Sequence, residues 1–413
     1  MPKSPSPYDF DLDKNPANYQ PLTPLGHLER AAWTYPDNVS VIHGDKRLTW
    51  KETHARAHQL ADALSKRGIG KGDTVAVLTA NTPEMMEMHF GIPMTGAVIN
   101  TINTRLDAAI IGFILDHGEA KALITDTEFA PIIKEALKII GRDILVIDIA
   151  DPQGPGGERL GKTEYYDFIA EGDADMDWSM PDDEWNKIAL NYTSGTTGNP
   201  KGVVFSHRGA YLNSINNALT WGMPTHARYL WTLPMFHCNG WCFPWTITML
   251  GGTHVCLRQV RADAIYDAIA DHKVDHLCGA PIVLNMIVNA ADGERRSFDH
   301  QVEVFTAGAP PAPATLAAIG QLGFNVTQVY GLTETYGHVV ESLWNPAWDA
   351  LPAEEQSARK ARQGIAMPMM DLTTVVDDTG QQIAMDGVTQ GEIVMRGRGD
   401  EMVAEDVRRF LTV

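Results

Sequence analysis

The chain has 413 residues, 44% of them apolar, and 33 basic against 52 acidic side chains leave a formal charge of −19. That length exceeds one ordinary core and predicts two or more structural lobes with ample interior. An acidic surface repels nucleic acid and anionic membranes, which excludes both as partners, and no apolar run reaches the length of a membrane span.

The first 24 residues are rich in Pro, Asp and Asn, carry no signal-peptide core, and read as a loosely held arm. Apolar spacing predicts a helix over 22–35, stopped by Pro36-Asp37. A hairpin follows, with Val39–Ile42 and Leu48–Trp50 bracketing His43-Gly44-Asp45-Lys46. A helix over 53–66, a strand over 74–78 and a Met-rich core helix over 83–95 come next. Strands at 98–99, 122–125 and 144–147 then alternate with helices over 107–116 and 130–139. Such alternation predicts an α/β fold with a parallel, doubly wound sheet. Residues 151–160 read as a Gly- and Pro-rich surface loop, and 173–184 as an acidic, mobile linker.

The linker leads to the most informative stretch, Asn191 to Gly202. Between the apolar runs Ile188–Leu190 and Val203–Phe205 it places Thr193, Ser194, Gly195, Thr196, Thr197, Gly198 and Lys201. Glycines let backbone N–H groups turn toward a ligand, hydroxyls donate to phosphate oxygens, and Lys201 adds a mobile positive charge. The Walker spacing fails, because Pro200 stands in place of its second glycine. A polar hairpin is the plain alternative, but a turn needs fewer hydroxyls.

Beyond the loop, a helix over 210–219 and a strand over 229–232 precede the segment Leu233 to Trp241. Further units lie at 254–257, 262–272 and 276–277. A strand over 302–306 ends in Gly308-Ala309-Pro310, and one over 326–330 ends in Gly331-Leu332-Thr333-Glu334-Thr335. Ligands of open α/β sheets sit at such strand ends. From Leu372 the texture becomes that of a small β-rich lobe. The four cysteines, Cys238, Cys242, Cys256 and Cys278, form no CxxC pair and read as buried, reduced thiols of a cytoplasmic compartment.

Three motifs in order resemble those of the adenylate-forming superfamily of acyl-CoA synthetases, adenylation domains and luciferases. They are Tyr192 to Gly202, Tyr330 to Glu334, and Gly391-Glu392-Ile393-Val394-Met395-Arg396-Gly397. Pro234–Pro244, Gly279–Ala290 and Tyr330–Gly364 are most similar to plant-type acyl-activating enzymes and their bacterial relatives. The resemblance implies two steps. A carboxylate attacks the α-phosphate of ATP to give acyl-AMP, and coenzyme A then takes the acyl group. The first step brings two anions together, so the protein must neutralise and align rather than supply a nucleophile.

The resemblance implies that residues 193–202 hold the outer phosphates, that Thr193 and Glu334 hold Mg²⁺, and that Thr333 touches the α-phosphate. Gly308, Ala309 and Pro310 with Gln328, Val329, Tyr330 and Gly331 would frame adenine. His237, Trp241, Gly331 and Tyr336 would face the acyl group, with His237, Thr193, Lys201 and Glu334 as the catalytic set. A lone histidine is often a satisfied core residue and Trp241 ordinary filler, but Asn239-Gly240 beside them favours a ligand-facing loop. The implied substrate is a short- or medium-chain fatty, aromatic or methylthio-type acid, and relatives of this kind often form homodimers. The rival readings are an adenylating enzyme that loads a carrier protein, and an inactive nucleotide- or acyl-AMP-binding scaffold.

The expected organisation is an arm over 1–24, an adenylation domain over 25–371, its small β-rich lobe over 372–397, and a remnant over 398–413. The pattern breaks after Arg396-Gly397. The family's ribose loop, hinge and lysine-bearing lid find no match, and 398–413 resembles one helix of that lid. A lid that is absent from the molecule would mean slow adenylation, and an intact mass near 45.4 kDa is the corresponding expectation.

Overall fold

The computed structural model describes residues 6, 8, 13–193 and 200–397. Two sheets organise it. The first runs Thr163–Glu164, Leu145–Ile149, Ala120–Asp126, Thr74–Leu78, Val98–Thr101, Lys187–Tyr192, Gly202–Ser206. All its pairings are parallel except the last, which is the hairpin around the 193–202 loop. The second runs Ile365–Ala366, Gly337–Glu341, Phe324–Leu332, Val302–Thr306, His276–Cys278, Arg228–Leu230, Thr253–Val255, Val39–His43, Lys46–Thr49. Its central strands are parallel and its ends antiparallel. Parallel strands covered on both faces need near-continuous apolar runs, and Val75, Val77, Leu123 and Ile124 supply them.

One hydrophobic core joins the sheets. Val75, Ile99 and Ile124 of the first share it with Val41, Tyr229 and Phe305 of the second. The helices Trp50–Lys66 and Pro83–Met94 lie in this core, and every residue of the latter is buried, as its methionine content predicts. The first of them starts where its sequence demands. Thr49 Oγ1 accepts from Glu52 N at 3.2 Å, and Glu52 Oε2 accepts from Thr49 N at 2.7 Å. That reciprocal cap stabilises the helix by about 1 kcal/mol. The two helices meet at Gly91, where a Cβ would stand 2.7 Å from the Ala57 carbonyl oxygen and 2.8 Å from Leu60 Cδ2. Gly91→Ala is therefore expected to lower unfolding free energy by about 1–3 kcal/mol. A urea midpoint unchanged from the wild type would contradict that packing.

The acidic segment 173–184 departs from its expectation as a mobile linker. Met176 and Trp178 pack on the main core, Lys71 pairs with Asp182, and Arg208 Nη1 meets Glu184 Oε1 at 2.5 Å. Asp182 and Glu184 thus have cationic partners on neighbouring elements, which composition alone does not reveal. The inner end of the N-terminal arm is also tied down, with Leu22 N donating to Glu184 Oε2 at 3.2 Å and Thr23 Oγ1 bonded to His207 Nδ1 at 2.8 Å.

The small lobe is a two-stranded antiparallel sheet, Met370–Val376 with Glu392–Gly397. Met395 fixes it to Val339 and Val340 of the large sheet. Residues 398–413, expected as a lid remnant, lie outside the described residues. Among the described residues no helix is long and apolar enough to cross a membrane.

Candidate active site

The phosphate-type loop is held at both ends by hairpin bonding. Thr193 N donates to Lys201 O at 3.0 Å, and Lys201 N donates to Thr193 Oγ1 at 3.4 Å. Ser194, Gly195, Thr196, Thr197 and Gly198 lie outside the described residues. Thr193 opens on a small cleft of 70 Å³, shared with Asn191, Phe236, His237, Cys238 and Thr333.

His237, Cys238 and Thr333 also line a second, larger cavity of 460 Å³. Its remaining wall is mostly apolar, with Leu233, Trp241, Val283 and Met286, and its rim carries Gly308 and Gly331. Two clefts thus meet at His237 and Thr333, one leading to the loop and the other to an apolar chamber. His237 is open to this junction rather than packed into the core. Desolvation by the surrounding protein pushes its pKa below the ordinary 6.5, so the ring is neutral at pH 7. Cys238 Sγ reaches Thr333 Oγ1 at 3.7 Å, and burial pushes that thiol up to about 12, which keeps it protonated.

The chamber wall rests on an unusual backbone. Cys238, Asn239, Gly240, Trp241 and Cys242 have φ of 42, 41, 54, 53 and 65°, a run of left-handed residues. For side chains other than glycine this costs about 1–2 kcal/mol per residue. Two asparagines of helix His207–Thr220 support the run. Asn217 Nδ2 donates to Trp241 O at 2.8 Å, and Asn213 Nδ2 donates to Tyr336 O at 2.8 Å and contacts Cys242 Sγ at 3.4 Å. At Gly240 the backbone passes so close to Trp231 that a Cβ would lie 2.7 Å from its ring.

The AMP-binding enzyme model matches residues 28–403. The chain belongs to the AMP-binding enzyme family. Among curated relatives, this AMP-binding enzyme is 48% identical over 401 residues to a peroxisomal acetate/butyrate–CoA ligase of Arabidopsis thaliana, covering 94% of this chain and 70% of that one. It is 42% identical over 405 residues to a peroxisomal trans-cinnamate:CoA ligase of Petunia hybrida, covering 94% and 71%. Among solved structures, the inhibitor-bound N-terminal domain of FACL13 from Mycobacterium tuberculosis aligns with a TM-score of 0.76 at 27% identity, covering 91% of this chain and 89% of that one. The family is the one that the three motifs imply, the match to plant acyl-activating enzymes is the one expected from Pro234–Pro244, Gly279–Ala290 and Tyr330–Gly364, and the enzyme class is that of AMP-forming acid–thiol ligases.

In this AMP-binding enzyme the expected site residues fall into three groups. Thr193, His237, Trp241, Thr333, Gly331 and Gly308 come together around the joined clefts. Glu334 is half-buried in the turn Thr333–Thr335, near enough to Cys238 and Tyr330 for its charge to raise both pKa values. Lys201, Ala309 and Pro310 are exposed and belong to the lining of neither cleft.

The other residues sit deeper than expected. Val329 belongs to the main core and Gln328 is buried in the same strand. Tyr330 packs on Val339, Val340 and Met395 and forms the seat of the small lobe. Tyr336 does not line the apolar chamber. Its ring stacks on Phe205, with centroids 3.7 Å apart, and Gly337 and His338 line the chamber instead.

His338, Asn103 and Arg105 line the chamber without having been singled out in the sequence. His338 is 1% exposed among Trp241, Phe243 and Phe305, and neither ring nitrogen has a hydrogen-bond partner among the described residues. Burial pushes it down to about 3, so it is neutral. The one available signal was a polar residue interrupting the apolar strand Gly337–Glu341. Arg105 follows the carboxyl end of strand Val98–Thr101, where the strand-end rule places ligands, and brings a cation to the chamber lining.

Proposed function

We propose that this chain activates a short- or medium-chain carboxylic acid with ATP and passes it to coenzyme A. The observation carrying this reading is the junction at His237 and Thr333 between the loop cleft and a 460 Å³ apolar chamber. That volume lies within the range of ordinary small-molecule sites. ATP's outer phosphates would lie along 193–202, and the acid's tail would enter the chamber with its carboxylate at the junction. Neutral His237 would donate to a carboxylate oxygen as the mixed anhydride forms, and Thr333 would donate to the α-phosphate. Arg105 and Lys201 lower the repulsion between the two anions without entering the bond changes.

Thr193 and Glu334 fit a hard divalent cation, since both offer oxygen and, among the described residues, Thr193 Oγ1 accepts one long contact from the backbone. Mg²⁺ there would neutralise phosphate charge. Four buried cysteines support a reducing, cytosol-like compartment for this chain, although three relatives are peroxisomal by name.

A panel of acids assayed for ATP-dependent pyrophosphate release, with and without coenzyme A, tests the reading. Acyl-CoA formation from a short, medium or aromatic acid supports it. Turnover with a carrier protein alone would transfer the reading to carrier loading, and nucleotide binding with no carboxylate-dependent exchange would leave a scaffold. Trp241 bounds the chamber, so Trp241→Ala should raise the preference for bulky over short acids about tenfold or more in kcat/KM. Identical preference ratios in the variant and wild type would remove Trp241 from the acyl wall.

A further inference from the structure

Glu29, His54 and His58 converge on one point, and none of them lines the chamber or the loop cleft. His54 and His58 are four residues apart on helix Trp50–Lys66, which puts both rings on one face, with centroids 4.0 Å apart. Glu29 reaches them from helix Gly26–Thr34. Its Oε2 is 2.7 Å from His54 Nε2 and its Oε1 is 2.9 Å from His58 Nε2. The three donor atoms lie within 4.8 Å of one another. Tetrahedral zinc with bonds of about 2.0–2.1 Å places its ligands about 3.3 Å apart, so small side-chain rotations suffice.

We propose that these three side chains bind one late first-row divalent cation, with zinc as the reference ion. The decisive detail is the far side of His58. Its Nδ1 is 2.9 Å from the Met176 carbonyl, which can only accept, so Nδ1 carries the proton. In the neutral ring Nε2 is then a bare lone pair facing a carboxylate oxygen. That contact is repulsive until a second proton or a metal ion lies between them.

A histidine with its distal N–H on a backbone carbonyl is the usual support of a metal ligand. Trp178 Nε1 orients the carboxylate in the same way, donating to Glu29 Oε1 at 2.7 Å. Asp175 adds negative charge near His58. Side-chain exposures of 38% for Glu29, 24% for His54 and 6% for His58 leave one side open for water as a fourth ligand. Bound metal would cross-link the first two helices and the segment 173–184, well apart from the reacting groups.

The test uses the full chain, free of any affinity tag and stripped with a chelator. Zn²⁺ titration by calorimetry, without nucleotide, should give one saturable site per chain. Co²⁺ should give visible d–d bands at the same stoichiometry. Glu29→Gln and His54→Gln, each checked for wild-type melting in chelator, should weaken Zn²⁺ at least about tenfold and remove the Co²⁺ bands. No saturable binding by the wild type would overturn the proposal and leave an ion pair with a proton in place of the metal. Unchanged binding by both variants would overturn it too, placing the ion elsewhere among the 14 histidines.

Discussion

Glu334→Gln is expected to lower carboxylate-dependent ATP–pyrophosphate exchange by about 10²- to 10³-fold, the range that follows loss of one well-placed electrostatic group. The side chain keeps its size and hydrogen-bonding reach but loses the charge needed by a hard cation. Among the described residues its carboxylate makes no hydrogen bond or ion pair that holds the fold, and the turn around it is kept by Thr335 Oγ1, which accepts from Leu332 N at 2.9 Å. Stability should therefore change by less than about 0.5 kcal/mol. Exchange kinetics as a function of Mg²⁺ concentration, beside a thermal melt, separate the two effects. Wild-type exchange in the variant would take Glu334 out of the metal site, and a large loss of stability would mean that it serves the fold.

The largest effect on stability is expected at Arg258. Its Nη1 meets Asp126 Oδ2 at 2.7 Å and Asp151 Oδ2 at 2.8 Å, while Nη2 meets Glu128 Oε2 at 2.5 Å. The Arg258, Asp126 and Asp151 side chains are 6%, 2% and 3% exposed. Arg258 follows strand Thr253–Val255 of the larger sheet, and Asp126 ends strand Ala120–Asp126 of the smaller, so the cluster ties the sheets together. Arg258→Ala leaves two buried carboxylates without their cation and should cost about 3–5 kcal/mol. Arg296→Ala removes an ion pair with Asp267 and Asp271 whose side chains are 43–56% exposed, where solvent screens the charges, so its loss of stability should be far smaller. Urea unfolding of both variants decides, and equal losses would contradict the ranking.

Acid should weaken the same cluster. Burial raises the Asp151 pKa, but the hydrogen bonds from His43 and from Gln153 N, with the charges of His43 and Arg258 behind them, outweigh it and bring the group from 3.8 to about 2. A depressed carboxylate contributes its full stabilisation above the unfolded value of 3.8 and loses it as pH falls through about 2.

The regular elements were legible because their periods are strong. The hairpin at 39–49, the Met-rich helix and the alternation from Thr74 to Ile149 depend on local spacing, and the structure forms them there. Sheet membership was not legible. Val41 pairs with His254 and Ile42 with Val255, and no local signal spans such a distance. The resemblance named Thr193, His237, Trp241 and Thr333, which the structure gathers around the joined clefts on strand ends and tight loops. It also named Tyr336, whose ring stacks on Phe205 outside the chamber lining. It was silent on His338, whose importance appears only once Trp241, Phe243 and Phe305 enclose it.

The left-handed run from Cys238 to Cys242 also bears on local stability. Five such residues in succession are costly on their own, and Asn213 and Asn217 of helix His207–Thr220 hold them in place. The strands around the run have their own ladders. The amides of this chamber wall should therefore exchange with solvent through small openings that leave both sheets closed. A pocket built in this way is easily remodelled: changes within the run alter which acid fits without disturbing the scaffold that binds the nucleotide.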